Sequence, residues 1–350
     1  VFKDFRNYLG AAYLQFGEPI SLNSLLKEYP LNDYLSEKDW LFKVTPVLGK
    51  KIMTNINDST VVTSTALFSL AILNSDSFSI SKQDLVARIE LLKSLLEEDK
   101  YSTKTLICEK TGEEIIDQMK KLSFLSKEDI NDRISLTNLE AAKLSFYRNN
   151  ISHLLIFESL ICGFFQYQKE IVKKDLLQSI KMIYPFLKEE FFLKWDEGDL
   201  DQLINIKLNK LINKNLILED SEVFKRPDFK SKQFYETQSL GKLVQPSIDR
   251  FYVLISQLWK NSAEHISKNE LEINSLEILK NLEKTQARLT PEFSEKWMFD
   301  VFLSRLIENK YVREDDKGML YPTRITQRLE KDANKFLEPN WLKELSKSTP

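Results

Sequence analysis

Two histidines are the only imidazoles in the 350-residue chain, and each is followed five positions later by a glutamate: His153 by Glu158 and His265 by Glu270. A carboxylate beside an imidazole can fix its tautomer and make it a general base, so His153 with Glu158 is the arrangement with most chemical potential. It lies in a helical, apolar run, however, where a histidine packed against backbone carbonyl or Asn is the simpler expectation. Just upstream, Tyr147, Arg148, Asn149 and Asn150 interrupt the same run with four polar residues. Buried, they must form a hydrogen-bonded network that pins helices together; otherwise, the planar fork of Arg148 suits a carboxylate or a phosphate. No Gly-rich phosphate loop, dinucleotide fingerprint, Cys-x-x-Cys pair, His-Glu-x-x-His or Gly-x-Ser-x-Gly sequence occurs. The residues imply no cofactor and no metal.

Bulk properties narrow the class. Fifty Lys and Arg against fifty-two Asp and Glu give a formal net charge of −2, so no global positive field draws the chain to nucleic acid or anionic lipid. Eight Gly and ten Pro among many Leu, Ile, Lys, Glu and Asn suit long helices joined by short polar turns. Cys108 and Cys162 are far apart and have no histidine cluster nearby, which points to reduced thiols. The most apolar window, 151–167, contains Ser152, His153 and Glu158 and falls short of a membrane span. The aromatic stretch 183–195 can lie on a membrane surface, but Leu187, Phe191, Phe192 and Trp195 at helical spacing mark a core face first.

Along the chain, 11–16 reads as a strand running into the turn Gly17-Glu18-Pro19. The pattern from Pro46 to Leu73 is helical and ends at Asn74-Ser75-Asp76. Ser81 and Asp84 form a capping signature for a helix to Glu97, and 173–182 is a further helix. An internal recurrence stands out: 208–220 aligns with 303–315 without a gap, and 119–129 is a looser echo. Each copy reads as a helix that breaks and turns extended; the last continues through the turn Asp315-Asp316-Lys317-Gly318 into Met319-Leu320-Tyr321. Helix, helix, hairpin is the winged-helix order. The helix 296–310 balances Lys296, Arg305 and Lys310 against Glu295, Asp300 and Glu308, an unremarkable solvated face that argues against nucleic acid.

Six separated stretches carry a family resemblance: Leu9-Gly10 with Phe16-Gly17-Glu18-Pro19, Val44-Thr45-Pro46, Tyr147-Arg148-Asn149-Asn150-x-x-His153, Tyr184-Pro185-x-Leu187-Lys188, Phe192-Leu193-x-Trp195-Asp196, and Pro291-Glu292-Phe293. In this order they resemble the C-terminal part of the bacterial membrane-associated glycerol-3-phosphate 1-O-acyltransferases. Composition and recurrence give a mainly α, multi-helical region with winged-helix-like units and short hairpins, and the resemblance implies that the last strand of an α/β acyltransferase domain precedes it. Together these readings divide the chain into the end of that domain (1–30), connecting helices (31–77), a first winged-helix-like unit with the polar-centred helix (78–165), a second unit (166–235) and a C-terminal helical unit with a third (236–350). The family's His-x-x-x-x-Asp pair is absent, since the fifth position holds Glu in both places. The resemblance therefore implies a non-catalytic piece whose partner is its own N-terminal catalytic domain. It further implies acyl-CoA or acyl-carrier protein and glycerol 3-phosphate as the intact enzyme's reactants, and a peripheral site on the inner face of the cytoplasmic membrane. The alternative reading is a free-standing helical scaffold that binds protein partners.

Overall fold

Helices dominate the computed structural model, which describes residues 12–34, 36–122, 125, 132–260, 265–286 and 296–338. After an irregular start, α1 (Leu22–Glu28) and α2 (Glu37–Asp58) lead to the short strand β1 (Val61–Val62) and to α3 (Ser64–Leu73). The expected helix across Pro46–Leu73 is thus two. Pro46 sits inside α2, whereas β-branched Val61 and Val62 pair with a later strand, and the Thr63 hydroxyl caps a new helix by accepting from Ala66 N at 3.2 Å. Asn74 ends α3 as the sequence indicates.

The chain continues through β2 (Ser79–Ser81), α4 (Lys82–Glu98), β3 (Leu106–Ile107), α5 (Gly112–Lys121), β4 (Arg133–Ser135) and α6 (Asn138–Ser152). β1 pairs in parallel with β3 and β2 antiparallel with β4. Ser81 caps α4 by accepting from Asp84 N at 3.0 Å, and capping boxes at Thr111 and Thr137 open α5 and α6. The looser echo at 119–129 falls partly outside the described residues.

A single 3-10 turn, His153–Leu155, joins α6 to α7 (Ile156–Phe164), every residue of which is buried. Next come β5 (Glu170–Val172), α8 (Lys173–Glu190), α9 (Leu200–Asn213), β6 (Leu218–Asp220) and β7 (Val223–Lys225), closed as the antiparallel sheet β5-β7-β6. After α10 (Lys232–Gly241) and α11 (Gln245–Lys260), the order repeats as β8 (Ile266–Ser267), α12 (Lys268–Gln286), α13 (Lys296–Glu308), β9 (Val312–Glu314) and β10 (Met319–Pro322), followed by α14 (Arg324–Asp332). Its sheet runs β8-β10-β9. Strand, two helices and a hairpin therefore occur twice. The recurrence is geometric as well: Leu216 N bonds Leu211 O at 2.9 Å and Tyr311 N bonds Leu306 O at 2.8 Å, with Asn215 and Lys310 at the aligned positions both at positive φ (54° and 59°). In the second hairpin Gly318 takes φ 76°, and Asp315 Oδ1 accepts Lys317 N and Met319 N, each at 2.9 Å.

Two further expectations change. Residues 12–20 form no strand, because none of the described residues offers them a ladder. The helix expected at 173–182 extends to Glu190 through Pro185, since Leu176, Ile180, Ile183 and Leu187 continue one buried stripe. One core runs from Val62 to Leu337. α3 and α7 lie deepest, and α7 approaches α10 closely enough that a Cβ on Gly241 meets the Cys162 backbone at 3.0 Å. No helix of the described residues is long and apolar enough to cross a membrane.

Candidate functional site

The polar segment of α6 is at the surface. Ala141, Leu144, Ser145, Ile151 and Ser152 form the buried stripe of this helix, so Asn149 and Asn150 are exposed while Tyr147 and Arg148 are half-buried at its edge. Burial of all four, one of the two readings, does not hold for the two asparagines. Arg148 donates to Asn149 Oδ1 from Nε (3.1 Å) and Nη2 (2.9 Å). Beside them Phe146 is 68% exposed.

One helical turn further on, His153 is buried. Its Nε2 lies 3.4 Å from Asn57 O and 3.3 Å from Thr60 Oγ1, and its ring meets Tyr101 edge-on at 5.1 Å. Burial lowers its pKa to about 4, so the ring is neutral near pH 7. It holds the end of α6 against the end of α2. Glu158 does not orient it.

Around this histidine the motif residues interlock. Tyr101 packs against Trp195 at 4.8 Å; Phe157 lies 5.4 Å from Tyr184 and 5.6 Å from Trp195. Tyr184 donates its hydroxyl to Trp195 O at 2.6 Å, and Lys188 pairs with Asp196 at 2.6 Å. Lys194 pairs with Asp58 at 2.8 Å and stands 4.4 Å from the Tyr101 ring centroid. The aromatic stretch 183–195 faces the core here: Tyr184, Phe186 and Leu187 are buried, and Glu189 and Glu190 tie α8 to its neighbours. Glu189 meets Lys50 (2.5 Å) and Arg305 (3.0 Å); Glu190 accepts from Ser247 Oγ (2.7 Å) and pairs with Arg250.

Glu158 has partners that the sequence reading missed. It is fully buried in α7 between Lys207, at 3.2 Å, and Lys210, both 3% exposed on α9. Lys207 reaches Asp99 Oδ2 at 2.5 Å, and Lys210 donates to Leu95 O at 3.0 Å. The contacts of Glu158 are charge pairs rather than hydrogen bonds of regular geometry. Burial by itself raises the Glu158 carboxyl, but Lys207 and Lys210 together outweigh it and hold the pKa below its ordinary value. Burial pulls Lys207 down, yet Glu158 and Asp99 leave it above the ordinary lysine value; for Lys210 burial prevails and the value is lowered. Two carboxylates and two ammonium groups thus close a neutral cluster joining α4, α7 and α9. The sequence carried a signal: Lys207 and Lys210 follow Leu200 and Leu203 by seven residues, on the apolar stripe of α9.

His265 is remote from all this, at φ 60° with its ring 4.0 Å from that of Tyr321. Cys108 and Cys162 are free thiols; burial raises the pKa of Cys162, which makes it inert. The geometry makes His153 and Glu158 parts of two packed hubs, neither open to a substrate.

Comparison with known proteins points to one family. Residues 1–315 match the family described as the glycerol-3-phosphate acyltransferase C-terminal region. The chain belongs to this family. It is similar to the glycerol-3-phosphate acyltransferase of Xanthomonas campestris pv. campestris, at 30% identity over 90% of the chain and 37% of the relative. The corresponding figures are 26%, 94% and 40% for that of Pseudomonas aeruginosa strain PAO1, and 28%, 89% and 38% for that of Pseudomonas fluorescens strain SBW25. The chain spans 37–40% of the length of these relatives.

Proposed function

We propose that this chain is the non-catalytic C-terminal part of a glycerol-3-phosphate 1-O-acyltransferase. The longer enzyme transfers an acyl group from acyl-CoA or acyl-carrier protein to the sn-1 hydroxyl of glycerol 3-phosphate, at the inner face of the cytoplasmic membrane, with no spanning helix among the described residues of this region. The observation that carries this reading is the family match over 1–315, a region named for the C-terminal part of that enzyme. The packing supports a buttressing role, because the imidazole and carboxylate most suited to chemistry are both spent on holding helices together. In the domain division we favour, 1–30 completes the acyltransferase domain, 31–77 connects, and 78–165, 166–235 and 236–350 are three units built on the winged-helix order. Tyr147, Arg148, Asn149 and Asn150 are the residues we assign to contact with the catalytic portion or its phosphate-bearing substrate, on account of their position at the surface.

An assay of lysophosphatidate formation from acyl-CoA and glycerol 3-phosphate tests both statements. The 350-residue chain alone should give none, whereas the longer polypeptide should turn over and lose rate on Arg148→Ala. Product from the chain alone overturns the non-catalytic role.

A further inference from the structure

Large apolar side chains that stand exposed are concentrated in one stretch of the chain. Of the twenty-one among the described residues, eleven fall between Tyr13 and Ile56. Phe16 is 81% exposed, Leu14 80%, Phe42 78%, Leu22 62% and Ile56 55%, values at which scattered surface residues no longer account for the cluster.

The helix α2 explains how the patch is built. Asn57 is buried on its inner side, where its Nδ2 donates to Phe191 O at 2.7 Å and Lys50 meets Glu189. Leu41, Leu48, Ile52 and Ile56, spaced seven, four and four residues apart, make a second apolar stripe along the same helix. Nothing among the described residues covers it fully, since Leu41, Ile52 and Ile56 are 49%, 42% and 55% exposed. Between this stripe and residues 15–25 lies a mostly apolar cavity of about 450 Å³. The segment beside it is tethered by polar contacts, with Asn55 Nδ2 donating to Glu18 O at 3.1 Å and Lys104 paired with Glu18, while Leu14 and Phe16 remain outward. Ion pairs rim the patch, Glu28 with Lys51 at 2.8 Å among them. An apolar centre within a charged rim is the anatomy of a protein interface.

We infer that the outer face of α2, with the segment 13–22, is the seat of the N-terminal portion of the longer polypeptide. This rests on the function proposed above. The occupant follows from length: the family is a C-terminal region, its relatives are more than twice as long, and the described segment from residue 12 lies beside the patch. A covalently attached partner has a high effective concentration, so a modest apolar face is enough to hold it.

Thiol labelling decides the matter. Phe42→Cys and Ile56→Cys are introduced singly into the 350-residue chain and into the longer polypeptide, and modification by N-ethylmaleimide is followed beside buried Cys162 as internal reference. Both new thiols should react rapidly in the 350-residue chain and at least tenfold more slowly in the longer polypeptide. Equal rates overturn the inference. So does slow, concentration-dependent labelling in the 350-residue chain, which puts a second copy on the face, or slowing only when phospholipid vesicles are added. Acyl transfer is measured in parallel: an active polypeptide with unprotected thiols sinks this inference alone, and an inactive one with protected thiols sinks the catalytic reading and leaves the docking intact.

Discussion

Replacing Glu158 by Gln should expose how the centre of the molecule is held. The substitution preserves shape but leaves Lys207 and Lys210 with Asp99 as the one carboxylate of the cluster. Lys207 keeps Asp99 at 2.5 Å; Lys210 keeps only the Leu95 carbonyl and becomes an uncompensated buried cation. Removing one member of a buried pair costs about 3–5 kcal/mol. At a urea m-value of about 3 kcal/mol/M, that lowers the unfolding midpoint by about 1–1.7 M. Two controls separate charge from packing. Since Glu158 raises the Lys210 pKa, its loss makes Lys210 shed its proton at lower pH, and the folded variant then binds fewer protons than the parent. Stability of the variant therefore rises relative to the parent as the pH is raised from 7 to 9.5, and the gap narrows. The double variant Glu158→Leu with Lys210→Met replaces the pair by apolar side chains and leaves Lys207 with Asp99, so most of the lost stability should return. Urea titrations followed by far-ultraviolet circular dichroism measure all three. A single variant costing under about 1 kcal/mol, or a double variant no better than the single, would refute the charge-cluster account.

Further outcomes follow from other contacts. His153 is held near pKa 4 against an ordinary 6.5, so the unfolded chain takes up its proton first and stability falls as pH drops from about 6.5 towards 4. The contribution is about 3 kcal/mol, and His153→Gln should flatten this part of the pH profile of the urea midpoint. Gly241→Ala places a methyl 3.0 Å from the Cys162 backbone and should cost about 1–3 kcal/mol by forcing α7 from α10. Gly163→Ala, whose nearest neighbour is Val244 Cγ1 at 3.6 Å, should shift the melting temperature far less. Loss of the capping hydroxyl in Thr137→Ala should cost about 1 kcal/mol, read as a lower melting temperature.

Local elements were legible where a side chain bonds its own backbone. Ser81 with Asp84 announces α4, and Asp315 with Gly318 announces the second hairpin, because those contacts span only a few residues. The recurrence at 208–220 and 303–315 was legible too, as identical chain geometry demands similar residues in the same order. Whether the polar segment at 147–150 is buried was left open by its apolar flanks; which face of α6 meets α3 is not written in composition but in the phase of the stripe at 141, 144, 145, 151 and 152, which leaves Asn149 and Asn150 exposed. The strand expected at 11–16 is not formed by the described residues 12–16, since a strand exists only where another backbone runs beside it.

Helix class, caps, the repeated helix-to-hairpin turn and kinship with the acyltransferase family were set by the sequence itself, each encoded by neighbours or by residues in fixed order. Tertiary structure alone decided that Glu158 meets Lys207 and Lys210 across two helices, that His153 is spent on Asn57 and Thr60, and that Leu41, Ile52 and Ile56 of α2 stay exposed. These pairings join residues from about 50 to nearly 100 positions apart, and only the packed core brings such distant groups within a few ångströms and removes the water that would otherwise screen them.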